Sequence, residues 1–267
     1  MLKKQIKSVK LNQQNYIDIP YDKIDTLSSE ILEVKSQLKH LYLSGNNLET
    51  VEEVGQLTNL RELYLSLNKL SSMPKMQGLT VLTHLNLSFN RLEVFPTGLT
   101  SCGNLRYLDL SGNRLKELSP KIGFLTALRS LYVSDNMFTE IPKEIGQLIL
   151  LEILVIRNNE ISLVPSELGK LTLLKRLYAQ QNQIQFLPIE AASCSLDKSD
   201  SVVRLTKNPL TLTLQKTYDT KGVKGIFELY RSGKFSQIMS EVAASNEKKY
   251  FFIINLDSRA RLMIRKY

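Results

Sequence analysis

With 267 residues the chain is long enough for one large domain or two small ones. No stretch approaches the roughly 18 consecutive apolar residues of a membrane span, and two widely separated cysteines rule out a disulfide framework. The formal charge of +9 is unevenly held: residues 1–36 carry six basic and five acidic side chains, residues 37–210 eighteen and sixteen, and residues 211–267 eleven and five.

The first ten residues, Met1-Leu-Lys-Lys-Gln-Ile-Lys-Ser-Val-Lys10, interleave charge with apolar residues. They contain no apolar run or cleavage site, so they are not a secretory signal, and a cytoplasmic protein is expected. Ile6, Val9, Leu11, Gln14, Tyr16, Ile19 and Pro20 read as a degraded, capping copy of the line that fills the next segment, with Gln in place of its Asn. Ile24, Leu27, Ile31 and Val34 then recur at helical spacing, which predicts an amphipathic helix after Pro20 covering the open end of the core. Residues 1–36 are therefore read as an N-terminal capping repeat and helix.

Residues 37–210 repeat one line, clearest in Leu105-Arg-Tyr-Leu108-Asp-Leu110-Ser-Gly-Asn113-Arg-Leu115. Its Asn recurs at Asn46, Asn68, Asn90, Asn113, Asn136, Asn159, Asn182 and Asn208, at steps of 22 or 23 residues with a last step of 26. A fixed period of this length signals a solenoid. The LxL core of the line puts two apolar side chains on one face of a short strand and sends their neighbours to the other, so stacked coils make a parallel sheet. The Asn reads as a structural turn former whose amide bonds backbone groups left unpaired as the strand ends. Each coil returns through an apolar stretch such as Phe138 to Leu148 and cannot bury its own leucines, so coils must stack. Cys102 and Cys194 each lie twelve residues after a repeat Asn, where other coils carry Leu125, Leu148 and Leu171, and read as small core residues.

After Asn208-Pro209-Leu210 the period ends. Val223, Ile226, Phe227 and Tyr230 predict a helix stopped by Ser232-Gly233, and Phe235, Ile238, Met239 and Val242 a second, so residues 211–246 read as a helical C-terminal cap. Residues 247–267 read as a β-hairpin or a basic tail. Such a segment packs on the cap, extends the last sheet edge, joins a partner, or begins a further domain. Its charge also suits peripheral contact with an anionic surface.

The repeat line resembles that of leucine-rich repeat proteins of the 23-residue kind, LxxLxLxxNxLxxLPxxIGxLxxL. Within them it most resembles the intracellular Ras-group scaffolds of the Scribble and Erbin type, over residues 6 to about 232. The resemblance implies an α/β fold: a curved leucine-rich repeat solenoid with a parallel sheet on the concave face, short helical or irregular convex segments and helical caps at both ends. It also implies protein binding, plausibly of a small GTPase or signalling enzyme. An Asn-Pro-Leu segment leading into a closing helix with a late Tyr is similar to the end of those scaffolds. Glu52 and Ser119 stand where that line has Pro, and the 22-residue Asn46 coil resembles the phosphatase-regulating subfamily instead.

The strand period lets the concave columns be written out. Four residues before each Asn stand Tyr42, Tyr64, Asn86, Asp109, Tyr132, Val155, Tyr178 and Arg204; two residues earlier stand His40, Glu62, His84, Tyr107, Ser130, Ile153, Arg176 and Val202. Arg157 belongs to a third column otherwise rich in Ser. Tyr and Arg anchor interfaces, since they bury a large area with few rotamers and keep a polar handle. The candidate partner-binding set is therefore His40, Tyr42, Glu62, Tyr64, His84, Asn86, Tyr107, Asp109, Tyr132, Arg157, Arg176, Tyr178 and Arg204, with Leu67 and Phe89 extending it along the sheet's edge. Glu62 and Asp109 lie on its earlier coils and the three arginines on its last.

No phosphate loop, nucleophile elbow, HExxH or paired CxxC is present, and no cysteine follows Cys194 as the ubiquitin-ligase effectors with such repeats would require. No catalytic residue, cofactor or metal is expected, although His40, Glu62 and His84 share one column. The nearly neutral repeats argue against nucleic acid. The reading is a noncatalytic cytoplasmic scaffold; the alternatives are a regulatory or recognition domain of a larger enzyme or multidomain signalling protein, and an injected bacterial effector.

Overall fold

The computed structural model describes residues 1–245 and the strands Phe251–Asn255 and Arg261–Arg265. Nine three-residue strands, β1 (Tyr16–Asp18), β2 (His40–Tyr42), β3 (Glu62–Tyr64), β4 (His84–Asn86), β5 (Tyr107–Asp109), β6 (Ser130–Tyr132), β7 (Ile153–Val155), β8 (Arg176–Tyr178) and β9 (Val202–Arg204), form one parallel sheet in chain order. Register follows the repeat: Leu41 lies opposite Leu63, Leu63 opposite Leu85, and Leu85 opposite Leu108. Equivalent side chains thus stack on one another, and Leu41, Leu63, Leu85, Leu108, Leu131 and Leu154 are fully buried. At about 25 cal/mol per Å² of apolar surface removed from water, this stacking is the main force holding one coil to the next.

The convex returns are single 3₁₀ turns such as Pro120–Phe124, Lys143–Gln147 and Ser166–Lys170, each burying its central Ile or Leu. The 22-residue coil between β3 and β4, through Pro74, has no such turn. The 26-residue last coil absorbs its extra residues in a second turn, Ser195–Asp197. Turns are wider than the spacing of about 4.8 Å between strands, so the stack curves with the sheet on the inside.

The repeat asparagines tie the coils together. The Asn113 amide nitrogen donates to Leu87 O and Leu110 O, both at 3.0 Å, while its oxygen accepts from Leu92 N at 3.0 Å. Asn68, Asn90, Asn159 and Asn182 bond in the same way. These bonds satisfy buried carbonyls and N–H groups that neither strand nor turn can pair. The residue just before the Asn is left-handed throughout, at Gly45, Leu67, Phe89, Gly112, Asp135, Asn158, Gln181 and Lys207.

The N-terminus departs from expectation. Residues Leu2–Asn12 form helix α1 with Leu2, Ile6 and Val9 buried, so Ile6 and Val9 belong to no strand. The first repeat copy lies eight residues later: Ile17 pairs with Leu41, and Tyr21 takes the left-handed position. Asp22 occupies the Asn site, where its N–H donates to Asn46 Oδ1 at 3.1 Å. Spacing of three residues fits one face of a helix as well as the start of LxxL, so Ile6 and Val9 satisfy both patterns. The predicted helix after Pro20 is also corrected: Ser29–Val34 is a 3₁₀ turn, the convex return of the first coil, burying Ile31 and Val34. The open end is instead covered by α1, whose Lys3 and Lys10 pair with Glu30 and Glu33 of that turn.

At the other end helix α2 (Leu212–Arg231), kinked at Gly222, and helix α3 (Phe235–Ser245) close the core. Tyr230 OH donates to Leu187 O at 2.7 Å, Leu205 N donates to Tyr218 OH at 3.0 Å, and Phe235 lies edge-on to Tyr230 and Phe186. Strands β10 (Phe251–Asn255) and β11 (Arg261–Arg265) pair antiparallel, Phe251 opposite Arg265. The rest of the 247–267 segment lies outside the described residues.

Candidate interaction surface

Period-two alternation turns the outward residues of every strand to the concave side, and parallel register lines them into columns four to five ångströms apart from coil to coil, on the order of one strand spacing. His40, Glu62 and His84 are successive partners in one column, and Tyr42, Tyr64, Asn86 and Asp109 in the next. Two aromatic groups result. In the first, the Tyr42 and Tyr64 rings lie 5.3 Å apart and His40 stacks 6.3 Å from Tyr42. Glu62 ties this group together: Tyr42 OH donates to its carboxylate, and His40 Nδ1 lies 3.3 Å from Oε2. Partial burial pushes the Glu62 carboxyl up, but the Tyr42 and His40 bonds and the neighbouring imidazoles prevail and hold it below the ordinary range. Burial and the bond to Glu62 push the Tyr42 phenol up.

In the second group His84 stacks 6.0 Å from Tyr107, and Tyr107 lies 5.3 Å from Tyr132. Asp109 accepts from Ser111 N at 2.9 Å and from Tyr107 OH at 3.4 Å. Burial raises its carboxyl above the ordinary value despite these bonds. Asn86, one coil earlier, makes the same local turn, its Oδ1 accepting from Ser88 N at 2.9 Å.

Beyond the second group Phe89, Tyr132, Val155, Arg157 and Tyr178 line a shallow groove of about 410 Å³. Val155 is buried in its wall. Arg157 reaches Asp135 of the preceding coil at 3.6 Å, whereas Arg176 and Arg204 are exposed and make no ion pair among the described residues. Asp135 was not foreseen as a surface residue. It sits in the left-handed position just before its Asn, and reading that position coil by coil would have found it.

Exposed Leu67 and Phe89 occupy the same left-handed row. The Phe89 ring lies where a Cβ on Gly112 would fall, 2.6 Å from its Cδ1, and Tyr21 stands in the same relation to Gly45. Each of these glycines therefore serves twice, taking φ of +65° or +72° and leaving room for an aromatic ring.

In the His40, Glu62 and His84 column, Glu62 turns to His40 and Tyr42, while His84 Nδ1 lies 3.0 Å from Thr83 Oγ1. Among the described residues no three His, Cys, Asp or Glu side chains converge as a metal site. Cys102 and Cys194 are free and buried, and burial pushes both thiols up to about 11, far from reactive.

Stacked coils, the Asn ladder and the concave columns define the class: the chain is a leucine-rich repeat solenoid. Family models agree, with a leucine-rich repeat region matching residues 93–194, a two-copy leucine-rich repeat matching 36–78 and a single repeat matching 81–102. No curated protein matches by sequence. Among solved structures the chain is similar to a leucine-rich repeat protein of Leptospira interrogans, at 29% identity and TM-score 0.63 over 78% of this chain and 58% of that one. It is similar to the plant peptide hormone receptor RGFR1 in complex with RGF2, at 30% identity and TM-score 0.61 over 68% of this chain and 30% of the receptor. A third likeness, at 25% identity and TM-score 0.66, is to the ectodomain of the Arabidopsis thaliana membrane receptor kinase GASSHO1/SCHENGEN3 in complex with Casparian strip integrity factor 2, over 76% of this chain and 25% of that one. The chain thus spans less than two thirds of each. Among the described residues no helix is long and apolar enough to cross a membrane.

Proposed function

We propose that the chain is a noncatalytic binding module that holds a protein partner on its concave face. The observation that carries this reading is the placement of Tyr42, Tyr64, Tyr107, Tyr132 and Tyr178 on five strands (β2, β3, β5, β6 and β8) of one face, interleaved with paired carboxylates and with Arg176 and Arg204, which make no ion pair among the described residues. Two of the similar structures are receptors in complex with RGF2 and with Casparian strip integrity factor 2, which supports a binding role for the fold. The resemblance to the Scribble and Erbin type makes a small GTPase or signalling enzyme the partner of choice, in the cytoplasm. A second reading, the recognition domain of a longer protein, has its own support: the chain spans 58%, 30% and 25% of the three similar chains.

The test is capture of partners from source-cell lysate by the wild-type chain and by the triple variant Tyr64→Ala, Tyr132→Ala, Arg157→Glu, with bound proteins identified by mass spectrometry. Proteins lost only with the variant establish the concave face and name the pathway. An unchanged set rejects the concave face as the working surface.

A further inference from the structure

The concave face is not uniform in charge, and the structure shows which charges are already used. Glu62 is engaged by Tyr42 and His40, Asp109 by Ser111 and Tyr107, and Arg157 by Asp135. Along the lower edge of the sheet, Arg129 pairs with Glu152 and Lys175 with Asp200. Arg176 on β8 and Arg204 on β9 are different. Both project from the concave columns, both are exposed, and neither has a carboxylate partner among the described residues. Exposed Lys207 follows on the same last coil. Next to these cations, on the side of the earlier coils, lies the groove whose apolar walls are Tyr132, Val155 and Tyr178 and whose far side carries Asp109 and Asp135, so that carboxylates are favoured at its arginine end and an uncharged side chain within it.

Resting on the concave-face reading above, we infer that the partner engages this end through an acidic protein segment: carboxylates over Arg176 and Arg204, and an apolar or aromatic side chain in the groove between Tyr132 and Tyr178. Two guanidiniums with no ion-pair partner among the described residues offer bidentate bonds to carboxylates without breaking a described internal pair. The Tyr132, Val155 and Tyr178 walls supply the apolar contact that a purely electrostatic site lacks. A long polyanion such as RNA fits the face less well, because continuing along it would bring phosphates against Asp109, Asp135 and Glu62.

The experiment is selection of a random peptide library displayed on phage against the wild-type chain and against Arg176→Glu/Arg204→Glu, whose melting curve is expected to match the wild type because both positions are exposed. Wild-type clones are expected to be rich in Asp and Glu with an aromatic or aliphatic residue among them. Their affinity is expected to fall at least about tenfold in the double variant and in Tyr132→Ala, and to weaken as salt rises. The double variant itself should select basic clones. Clones that require Tyr132 but show no acidic bias, or bind the double variant equally well, overturn the acidic-segment inference and leave the concave-face reading standing. Clones indifferent to Tyr132 and to both arginines overturn both. Polyuridylate, or vesicles containing phosphatidylserine, binding more tightly than any clone and released by the double variant would reassign the arginines to a polyanion and overturn the inference as well.

Discussion

At the residue scale the fold rests on positions where one side chain answers several backbone demands. Asn113 is buried and bonded to Leu87 O, Leu110 O, Ser111 O and Leu92 N across two coils, so Asn113→Ala leaves several buried groups unpaired. It should cost about 3 kcal/mol, read as a lower urea midpoint at unchanged slope. Gly112→Ala forces a Cβ into a left-handed residue and against the Phe89 ring, and should cost more than about 1 kcal/mol, whereas Gly103, with open space around it, should tolerate Ala. The two concave carboxylates titrate with opposite consequences. Glu62 is held below its ordinary value, so its contribution to stability is present above the ordinary carboxylate pKa and is lost as pH falls through the folded one. Asp109 is raised, so its favourable contribution is present at acid pH and is lost as pH rises through the folded value. Glu62→Gln should therefore lower the melting temperature at neutral pH and Asp109→Asn raise it, and both differences should shrink on acidification. Equal shifts of one sign in the two variants would contradict this account.

At the scale of elements, each coil is a strand, a ladder Asn and a convex turn, and the three are legible in sequence because they sit at fixed offsets in one line. The register Leu85 opposite Leu108 follows once Asn90 and Asn113 are matched. The ends were less legible, since a cap breaks the period that made the rest readable. Ile6 and Val9 satisfy a helix and a repeat equally, and only the pairing of Ile17 with Leu41 decides between them. At the C-terminus the apolar spacing of Ile226, Phe227 and Tyr230 was unambiguous, while the kink at Gly222 and the bond from Tyr230 to Leu187 depend on the tertiary fit of α2 on the last coil. The concave columns could be written out because strand period alone sets them. Their pairing, with Glu62 held and Arg176 without an ion-pair partner among the described residues, depends on rotamers that no spacing encodes. Tyr230→Phe should cost about 1 kcal/mol, the bond to Leu187 O and no more, while Leu108→Ala in a central coil should cost about 2–5 kcal/mol. Chemical denaturation of both separates a cap contact from a stacking contact.

At the scale of the whole molecule, a solenoid divides labour between faces. Leucines and the Asn ladder hold neighbouring coils together, so stability is a sum over coils and their interfaces. The outward columns carry little of that duty, Glu62 and Asp109 apart, and can vary to suit a partner. Buried structure and exposed chemistry should accordingly respond to different substitutions. The most direct measurement is a paired one on a captured partner: its Kd and the protein's melting temperature, determined for Asn113→Ala and for Tyr132→Ala. The account predicts that Asn113→Ala lowers the melting temperature and keeps the affinity of the folded protein, while Tyr132→Ala keeps the melting temperature and weakens binding by about 2 kcal/mol or more. Tyr132→Ala melting the fold while Asn113→Ala leaves it intact and loses the partner would contradict the assignment of the two faces.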